Sequence, residues 1–122
     1  MKLPAVIGAS SNRHKFGNKA LRAFANQGYS VIPINPTETE VEGHRAYASV
    51  LDVPQSIDMA TIYVPGAIGV QVMDDLAKKG IPEVWLNPGA DDRQVVEKAR
   101  SLGLKTVIHC SIIAIGDSPG RY

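Results

Sequence analysis

The segment PAVIGASSNRHKFG, residues 4–17, joins a short apolar run to a polar loop and then to the start of an amphipathic stretch. The run from Pro4 to Gly8 predicts a buried strand, and Gly28 marks the end of the helix that follows the loop. The predicted apolar stripe of that helix comprises Ala20, Leu21, Phe24 and Ala25. The segment therefore predicts a strand, a loop and a helix in that order.

The same order recurs along the rest of the chain. Further strands are predicted over residues 29–34, 59–64, 83–86 and 105–108. One helix is predicted over residues 67–79, with Ile68, Val72 and Leu76 at helical spacing, and another is predicted from Asp91 or Asp92 to Gly103. Residues 38–47 are a polar connection, residues 49–53 one helical turn, residues 111–115 a sixth strand or a packed turn, and residues 117–122 a tail.

Strands that alternate with helices predict parallel pairing through right-handed crossovers. We expect a three-layer, doubly wound α/β sheet of the Rossmann kind, with about five strands, helices on both faces, and residues 1–122 as one domain. Ligands of such sheets bind beyond the carboxyl ends of the strands. The residues that directly follow the predicted strands are Gly8-Ala9-Ser10, Asn35-Pro36, Val64-Pro65, Asn87-Pro88-Gly89 and His109-Cys110.

Composition narrows the class of protein. The 122 residues are 44% hydrophobic and 20% charged, as in an ordinary globular domain. Cys110 is the one cysteine, which excludes an intrachain disulfide and a cysteine-rich metal cluster and suits a reducing cytoplasm. The first apolar run, residues 3–7, is too short for a signal peptide or a membrane helix. We expect a cytoplasmic protein without a metal site or a membrane partner.

Charge is unevenly distributed along the sequence. Residues 1–37 contain five basic residues and no Asp or Glu, and four of those five lie between Arg13 and Arg22. The cluster is too local for a nucleic-acid stripe, so no nucleic-acid partner is expected, and its size suits one small polyanion. A solvated basic face is the alternative interpretation. The five basic residues are Lys2, Arg13, Lys15, Lys19 and Arg22.

The loop GASSNRHKFG, residues 8–17, has features of a phosphate site, because a glycine leaves the strand and a helix N-terminus follows. It lacks the Gly-x-Gly-x-x-Gly fingerprint, since Ser10 stands two residues after Gly8. The second strand ends in Asn35 and no acid precedes Glu38, whereas a NAD site needs an acid there. We therefore expect an anion-rich nucleotide other than NAD, and coenzyme A, with its ribose 3′-phosphate, fits.

Five segments together resemble a known family. They are GASSNRHKFG (8–17), IPINP (32–36), GHRAYASV (43–50), DMATIYVP (58–65) and VWLNPG (84–89). In this order they resemble the CoA-binding domain of the succinyl-CoA synthetase alpha subunit and of ADP-forming acetyl-CoA synthetases. The chain looks most like stand-alone CoA-binding proteins of about this length, and the resemblance extends from the first strand to Cys110.

The resemblance implies a set of residues around coenzyme A. Gly8, Ala9 and Ser10 would contact its phosphates, and Lys15, Phe16 and Gly17 match the segment that opens the first helix. Asn35 and Pro36 would lie beside the adenosine, and Val64 and Pro65 along the pantetheine. Asn87 and Gly89 stand where the ligases often have a glutamine before a glycine. From the loop itself, Ser11 and Asn12 add short donors and Arg13 adds positive charge.

The resemblance implies binding rather than catalysis. The ligases use a second domain with a phosphorylated histidine and a subunit that grasps nucleotide, and this chain has neither, so no catalytic residue is assigned. Two alternatives are a small NADP-dependent reductase and a CoA-binding subunit of a split acyl-CoA ligase. The apolar stretch 111–115 also suits a homodimer or a partner protein.

Cys110 has two interpretations. It is a buried structural cysteine, or it is a redox thiol near the pantetheine end that forms a mixed disulfide with coenzyme A. His109 precedes it, but adjacent residues on an extended segment point to opposite faces, which argues against a Cys-His pair. Tyr63 and Trp85 occupy strand positions and are expected in the core.

Overall fold

The computed structural model describes residues 1–122 and contains a five-stranded parallel sheet. Its strands are β1 (Pro4–Ile7), β2 (Ile32–Ile34), β5 (Met59–Ile62), β6 (Glu83–Leu86) and β7 (Lys105–Ile108). A separate antiparallel hairpin consists of β3 (Glu40–Val41) and β4 (His44–Arg45). The predicted doubly wound parallel sheet of five strands is confirmed.

Helices cover both faces of this sheet. They are α1 (Phe16–Asn26), α2 (Gly66–Lys79), α3 (Arg93–Ser101) and the short α4 (Ser111–Ala114). One buried cluster joins α2 and α3 to one face through Met73, Leu76 and Val95, and a second joins α1 and α4 to the other through Phe24 and Ile112. The predicted three layers are therefore present.

The order of the parallel strands determines where the edge of the sheet opens into a crevice. Across the sheet the strands lie in the order β2-β1-β5-β6-β7. When only these five strands are numbered along the chain, the order is 2-1-3-4-5, so the winding reverses between β1 and β5. Such a reversal leaves a crevice at the carboxyl edge of the sheet. Ile7 is in register with both Ile34 and Ile62, and Leu86 is in register with Ile62 and Ile108. The residues after these strands therefore lie along one edge, as predicted.

Helix α2 differs from the predicted pattern. Ile68, expected on the buried stripe, is 52% exposed, whereas Gly69, Met73 and Leu76 are buried. A Cβ at Gly69 would lie 3.1 Å from Cγ2 of Val95, so the helix approaches α3 through a glycine. A hydrophobic pattern cannot reveal a contact made by a residue without a side chain. In α1, Ala20, Leu21 and Phe24 are buried as predicted, while Ala25 is only half-buried.

Several connections were predicted only in outline. The second strand is shorter than residues 29–34, and the polar connection contains the β3–β4 hairpin. Residues 111–115 form α4 and its end rather than a sixth strand. The predicted tail folds back on α1, where the Tyr122 hydroxyl donates to Oδ2 of Asp117 at 2.6 Å and accepts from Nδ2 of Asn26 at 2.8 Å.

The α3 N-cap is Asp92, one of the two predicted positions, but its side chain makes no capping hydrogen bond. The predicted turn at residues 49–53 is a 3₁₀ turn over Val50–Asp52, where Oγ of Ser49 accepts from the amide of Leu51. No helix of the chain has both the length and the apolar character that a membrane span requires.

Candidate functional site

A cleft of about 630 Å³ opens at the carboxyl edge of the sheet, where the strand order reverses. It lies between the segments that follow β1, β2, β5 and β6. Its lining residues are Gly8, Ser10, Lys15, Phe16, Gly17, Asn35, Tyr63, Val64, Pro65, Pro88, Gly89 and Ala90. The sequence therefore predicted the place of the cleft from the residues that follow the strands.

Two glycines bring the first helix close to the end of β1. Gly8 has a φ of +89°, and a Cβ there would lie 2.8 Å from the carbonyl oxygen of Tyr63. A Cβ at Gly17 would overlap the carbonyl group of Gly8. These backbone groups cannot move aside like a flexible side chain, so both positions require glycine. The N-terminus of α1 consequently forms one wall of the cleft.

That N-terminus has free hydrogen-bond donors. Helix α1 begins after Lys15, which makes no side-chain cap, and its first turn contains no acidic residue. The backbone amides of Phe16 and Gly17 have no acceptor in the chain, as expected for the first turn of a helix. Lys15, Phe16 and Gly17 all line the cleft. The first turn of α1, with two free amides and the positive end of the helix dipole, and the basic residue Lys15 therefore border one space, which suits a phosphate.

The N-terminus of the next helix, α2, differs from that of α1 in having a carboxylate beside it. Helix α2 begins at Gly66 after Val64 and Pro65, which line the same cleft. The carboxylate of Asp92 lies against Gly66, where it fills the space that a Cβ would need. The positive end of α2 thus has a carboxylate of the protein beside it.

Asn87 was predicted to bind the ligand, but the structure places it in the core. It is 2% exposed and does not line the cleft. Its Nδ2 donates to Oγ1 of Thr61 at 2.7 Å and to the carbonyl of Ile62 at 3.0 Å. Its Oδ1 accepts from the amide of Ser111 at 2.9 Å and from the Tyr63 hydroxyl at 3.1 Å. With both donors and the oxygen engaged, Asn87 fixes the β5, β6 and α4 segments to one another.

Tyr63 lines the cleft although its strand position predicted a core residue. Its hydroxyl is within 3.1 Å of Oγ of Ser111 as well as of Asn87. Burial raises the pKa of the Tyr63 hydroxyl, and the hydrogen bond to Ser111 partly offsets this. The phenol therefore stays protonated at neutral pH and anchors the ring at the cleft.

Glu38 corrects the expectation that no acid stands at the end of the second strand. Oδ1 of Asn35 accepts from the amides of Thr37 and Glu38, both at 2.9 Å, so the chain turns back after β2. Oε2 of Glu38 then accepts from the amide of Ser11 at 3.0 Å and from Nδ2 of Asn35 at 3.2 Å. The hydrogen bonds from Ser11 and the charge of Lys15 lower the pKa of the Glu38 carboxyl. A sequence cannot show that a tight turn brings back an acid three residues past the strand.

The predicted basic cluster does not converge on the cleft. Arg13 pairs with Glu42 at 3.1 Å. Arg22 donates to Oδ1 of Asn18 at 2.7 Å and lies over the Tyr122 ring. The ammonium of Lys19 lies 5.2 Å from the centre of the Phe16 ring. Lys15 is the one basic residue of the predicted cluster that lines the cleft.

The predicted residues are thus divided by the structure. Those that line the cleft are Gly8, Ser10, Lys15, Phe16, Gly17, Asn35, Val64, Pro65 and Gly89. Those that do not line it are Ala9, Ser11, Asn12, Arg13, Pro36, Asn87 and Cys110. Ala9 is fully buried, and its carbonyl accepts from Nδ2 of Asn35 at 2.9 Å. This hydrogen bond connects the loop after β1 to the end of β2.

Three lining residues were not in the predicted set: Tyr63, Pro88 and Ala90. Pro88 belongs to the predicted strand-end segment 87–89 although it was not assigned to the ligand, and Tyr63 and Ala90 each adjoin a predicted residue. Cys110 is half-buried against the α1-side core, and the neighbouring His109 packs on Trp85 with their ring centres 6.3 Å apart. The two side chains form no Cys-His pair.

The strand order, the glycine contacts and the open α1 terminus place the chain among the doubly wound α/β proteins with a ligand cleft at the winding reversal. The chain belongs to the CoA binding domain family, whose sequence pattern matches residues 2–116. This confirms the resemblance drawn from its motifs.

Similar proteins and similar solved structures agree with this family. The chain is 32% identical over 136 aligned residues to acetate–CoA ligase [ADP-forming] I subunit alpha of Pyrococcus furiosus, with 98% of this chain and 29% of that subunit covered. Among solved structures, a conserved hypothetical protein of Pyrococcus furiosus is 28% identical, with a TM-score of 0.86 and coverage of 93% and 99%. The dinucleotide forming acetyl-coenzyme A synthetase 1 of Ca. Korarchaeum cryptofilum, in complex with phosphate and ADP, is 32% identical, with a TM-score of 0.78 and coverage of 88% and 25%. The chain spans less than a third of the length of either ligase.

Proposed function

We propose that this protein binds coenzyme A or an acyl-CoA in the cleft at the carboxyl edge of the sheet, and that residues 1–122 act as one binding domain. The open N-terminus of α1 beside Lys15 carries this proposal. The pyrophosphate accepts hydrogen bonds from the amides of Phe16 and Gly17, and the ammonium of Lys15 supplies counter-charge.

The remaining lining residues divide between the two ends of the ligand. The adenosine lies toward Asn35, at the end of β2. The pantetheine arm follows Val64 and Pro65 toward Gly89, along the apolar part of the lining formed with Tyr63 and Ala90. This arrangement gives the charged part of the ligand the helix terminus and gives its uncharged arm the wall of proline and aromatic side chains.

The role is binding, with catalysis supplied elsewhere. Among the lining residues, Tyr63 has its hydroxyl engaged by Asn87 and Ser111, and Lys15 serves the phosphates. The similarity to an alpha subunit of an ADP-forming acetate–CoA ligase supports a second candidate function, in which the chain is the CoA-binding subunit of a split acyl-CoA ligase. Acyl-CoA formation from acid, ATP and coenzyme A by this chain together with a copurified partner, but not by the chain alone, would establish that role.

Calorimetric titration of the reduced protein tests binding directly. We expect micromolar binding of coenzyme A, with NADPH as the control for the reductase alternative. Lys15→Gln should weaken coenzyme A binding about tenfold, because a charge-assisted contact is worth about 1.5 kcal/mol. Lys78→Gln, which removes the same charge from an exposed position in the last turn of α2, should leave affinity unchanged. Equal affinity of both variants, or binding of NADPH alone, would contradict the proposal.

A further inference from the structure

Glu38 occupies a position that the proposed binding mode does not yet use. Its Oε2 is held by the amide of Ser11 and by Nδ2 of Asn35, whereas its Oε1 has no hydrogen-bond partner in the chain. Asn35 lines the cleft at the end of β2, where the adenosine is proposed to lie, and Glu38, which is not itself a lining residue, is hydrogen-bonded to it. A fixed anion therefore lies next to Asn35, the residue that lines the proposed ribose end of the cleft.

The charges around this position do not favour a second phosphate. The side chain of Arg13 forms an ion pair with Glu42, and Arg22 donates to Asn18 and to the carbonyl of Arg13. Lys15 remains, and the pyrophosphate takes it in the proposed mode. The residues between Asn35 and Glu38 are Pro36 and Thr37, which carry no charge.

A carboxylate just beyond the second strand of a doubly wound sheet accepts hydrogen bonds from ribose hydroxyls, whereas a ribose phosphate is accommodated by a cation there. We propose that Glu38 is a specificity-determining residue that accepts a hydrogen bond from a ribose hydroxyl through Oε1 and disfavours a phosphate on that ribose. This rests on the proposed function. The ligand class is an adenosine diphosphate with a pantetheine arm, and its 3′-phosphate is dispensable for binding. If this proposal holds, the end of β2 disfavours a phosphorylated ribose, contrary to the expectation drawn from the neutral Asn35.

The test compares coenzyme A with 3′-dephospho-CoA by calorimetry on the full chain. The wild type should bind 3′-dephospho-CoA at least as tightly as coenzyme A. Glu38→Gln keeps an oxygen for Ser11 but removes the charge, so it should shift the ratio of the two affinities toward coenzyme A by about fivefold. Glu40→Gln removes an equal charge from an exposed residue of β3 that makes no side-chain hydrogen bond, and it should leave the ratio unchanged.

The outcomes distinguish a failure of the role proposed for Glu38 from a failure of the proposed CoA binding. If the wild type binds coenzyme A several-fold more tightly than 3′-dephospho-CoA and Glu38→Gln keeps that ratio, the role of Glu38 is wrong while CoA binding stands. If neither nucleotide binds, both proposals fail.

A measurement on the wild type alone removes any dependence on the folding of a variant. Raising the ionic strength screens the repulsion between Glu38 and the 3′-phosphate, so the affinity for coenzyme A should rise relative to that for 3′-dephospho-CoA. A relative fall with salt would mean that the 3′-phosphate meets a net positive field, which overturns the proposal.

Discussion

The junctions β1–α1 and β5–α2 are built alike but differ in charge. Each joins a buried parallel strand to a helix whose first residues include a glycine in close contact, Gly17 in one and Gly66 in the other. At Gly17 the close neighbour is the carbonyl group of Gly8, and the amides of the helix remain open to the cleft. At Gly66 the close neighbour is the carboxylate of Asp92.

The difference shows that a helix N-terminus does not by itself make an anion site. Both termini have the same dipole, but only α1 combines free amides with a neighbouring cation, Lys15, at the cleft. Asp92 supplies α2 with a negative charge from within the chain. In the proposed binding mode the phosphates of the ligand therefore lie at α1, and its uncharged arm lies at the β5–α2 junction.

The largest difference between the junctions should appear when each glycine is replaced. Gly17→Ala should lower the free energy of unfolding by about 3 kcal/mol, because the new methyl group meets backbone. Gly66→Ala should cost about 1 kcal/mol, because the Asp92 side chain can move away. Urea denaturation of both variants measures this. An equal decrease in the free energy of unfolding for both variants would show that the two contacts are equally rigid, which would contradict the difference drawn between the junctions.

A smaller effect is expected from removing the charge at the second junction. Asp92→Asn should lower the free energy of unfolding by about 0.5 to 1 kcal/mol, since the α2 N-terminus loses its neighbouring carboxylate. Asp52→Asn, at the end of the 3₁₀ turn, is the control of equal charge and should change stability by less. Thermal or urea unfolding distinguishes them. An Asp92→Asn variant as stable as the wild type would mean that the carboxylate does not stabilise the N-terminus of α2.

The smallest expected effect concerns pH at the first junction. The pKa of Glu38 is lowered in the folded protein, chiefly by hydrogen bonds from Ser11, so its ionised form stabilises the fold. That contribution is complete above the usual pKa of a glutamate, about 4.5, and is lost as the pH falls through the lower folded value. The wild type should therefore exceed Glu38→Gln in stability at pH 7 and match it in strong acid. A difference that persists or grows on acidification would contradict this assignment.

The strands and their order along the chain were largely predictable from sequence. Residues 83–86 and 105–108 were predicted with the bounds that the structure has, because short apolar runs between turn residues have few alternatives. The common edge of the strands followed from their parallel pairing. That edge, together with the loop of residues 8–17 and the family resemblance, placed nine of the predicted residues in the cleft, among them Gly8, Lys15 and Asn35.

Asn87 and Arg13, two predicted residues that lie outside the cleft, share a physical cause, which is that side-chain partners are set by tertiary contacts. Asn87 follows a strand like the lining residues do, but its amide turns inward to Thr61 and Ser111. Arg13 belongs to the basic cluster in sequence, but the β3–β4 hairpin brings Glu42 to it. Neither partner is near in sequence, so no local pattern could predict which groups the fold would neutralise.

The central claim is that coenzyme A places its phosphates at α1 rather than at α2. Titration of ¹⁵N-labelled protein with coenzyme A, followed through backbone amide resonances, tests it most directly. The account predicts that the amides of Phe16 and Gly17 shift the most and that those of Gly66 and Ala67 shift less. Larger shifts at Gly66 and Ala67, or none at Phe16 and Gly17 under saturating ligand, would contradict it.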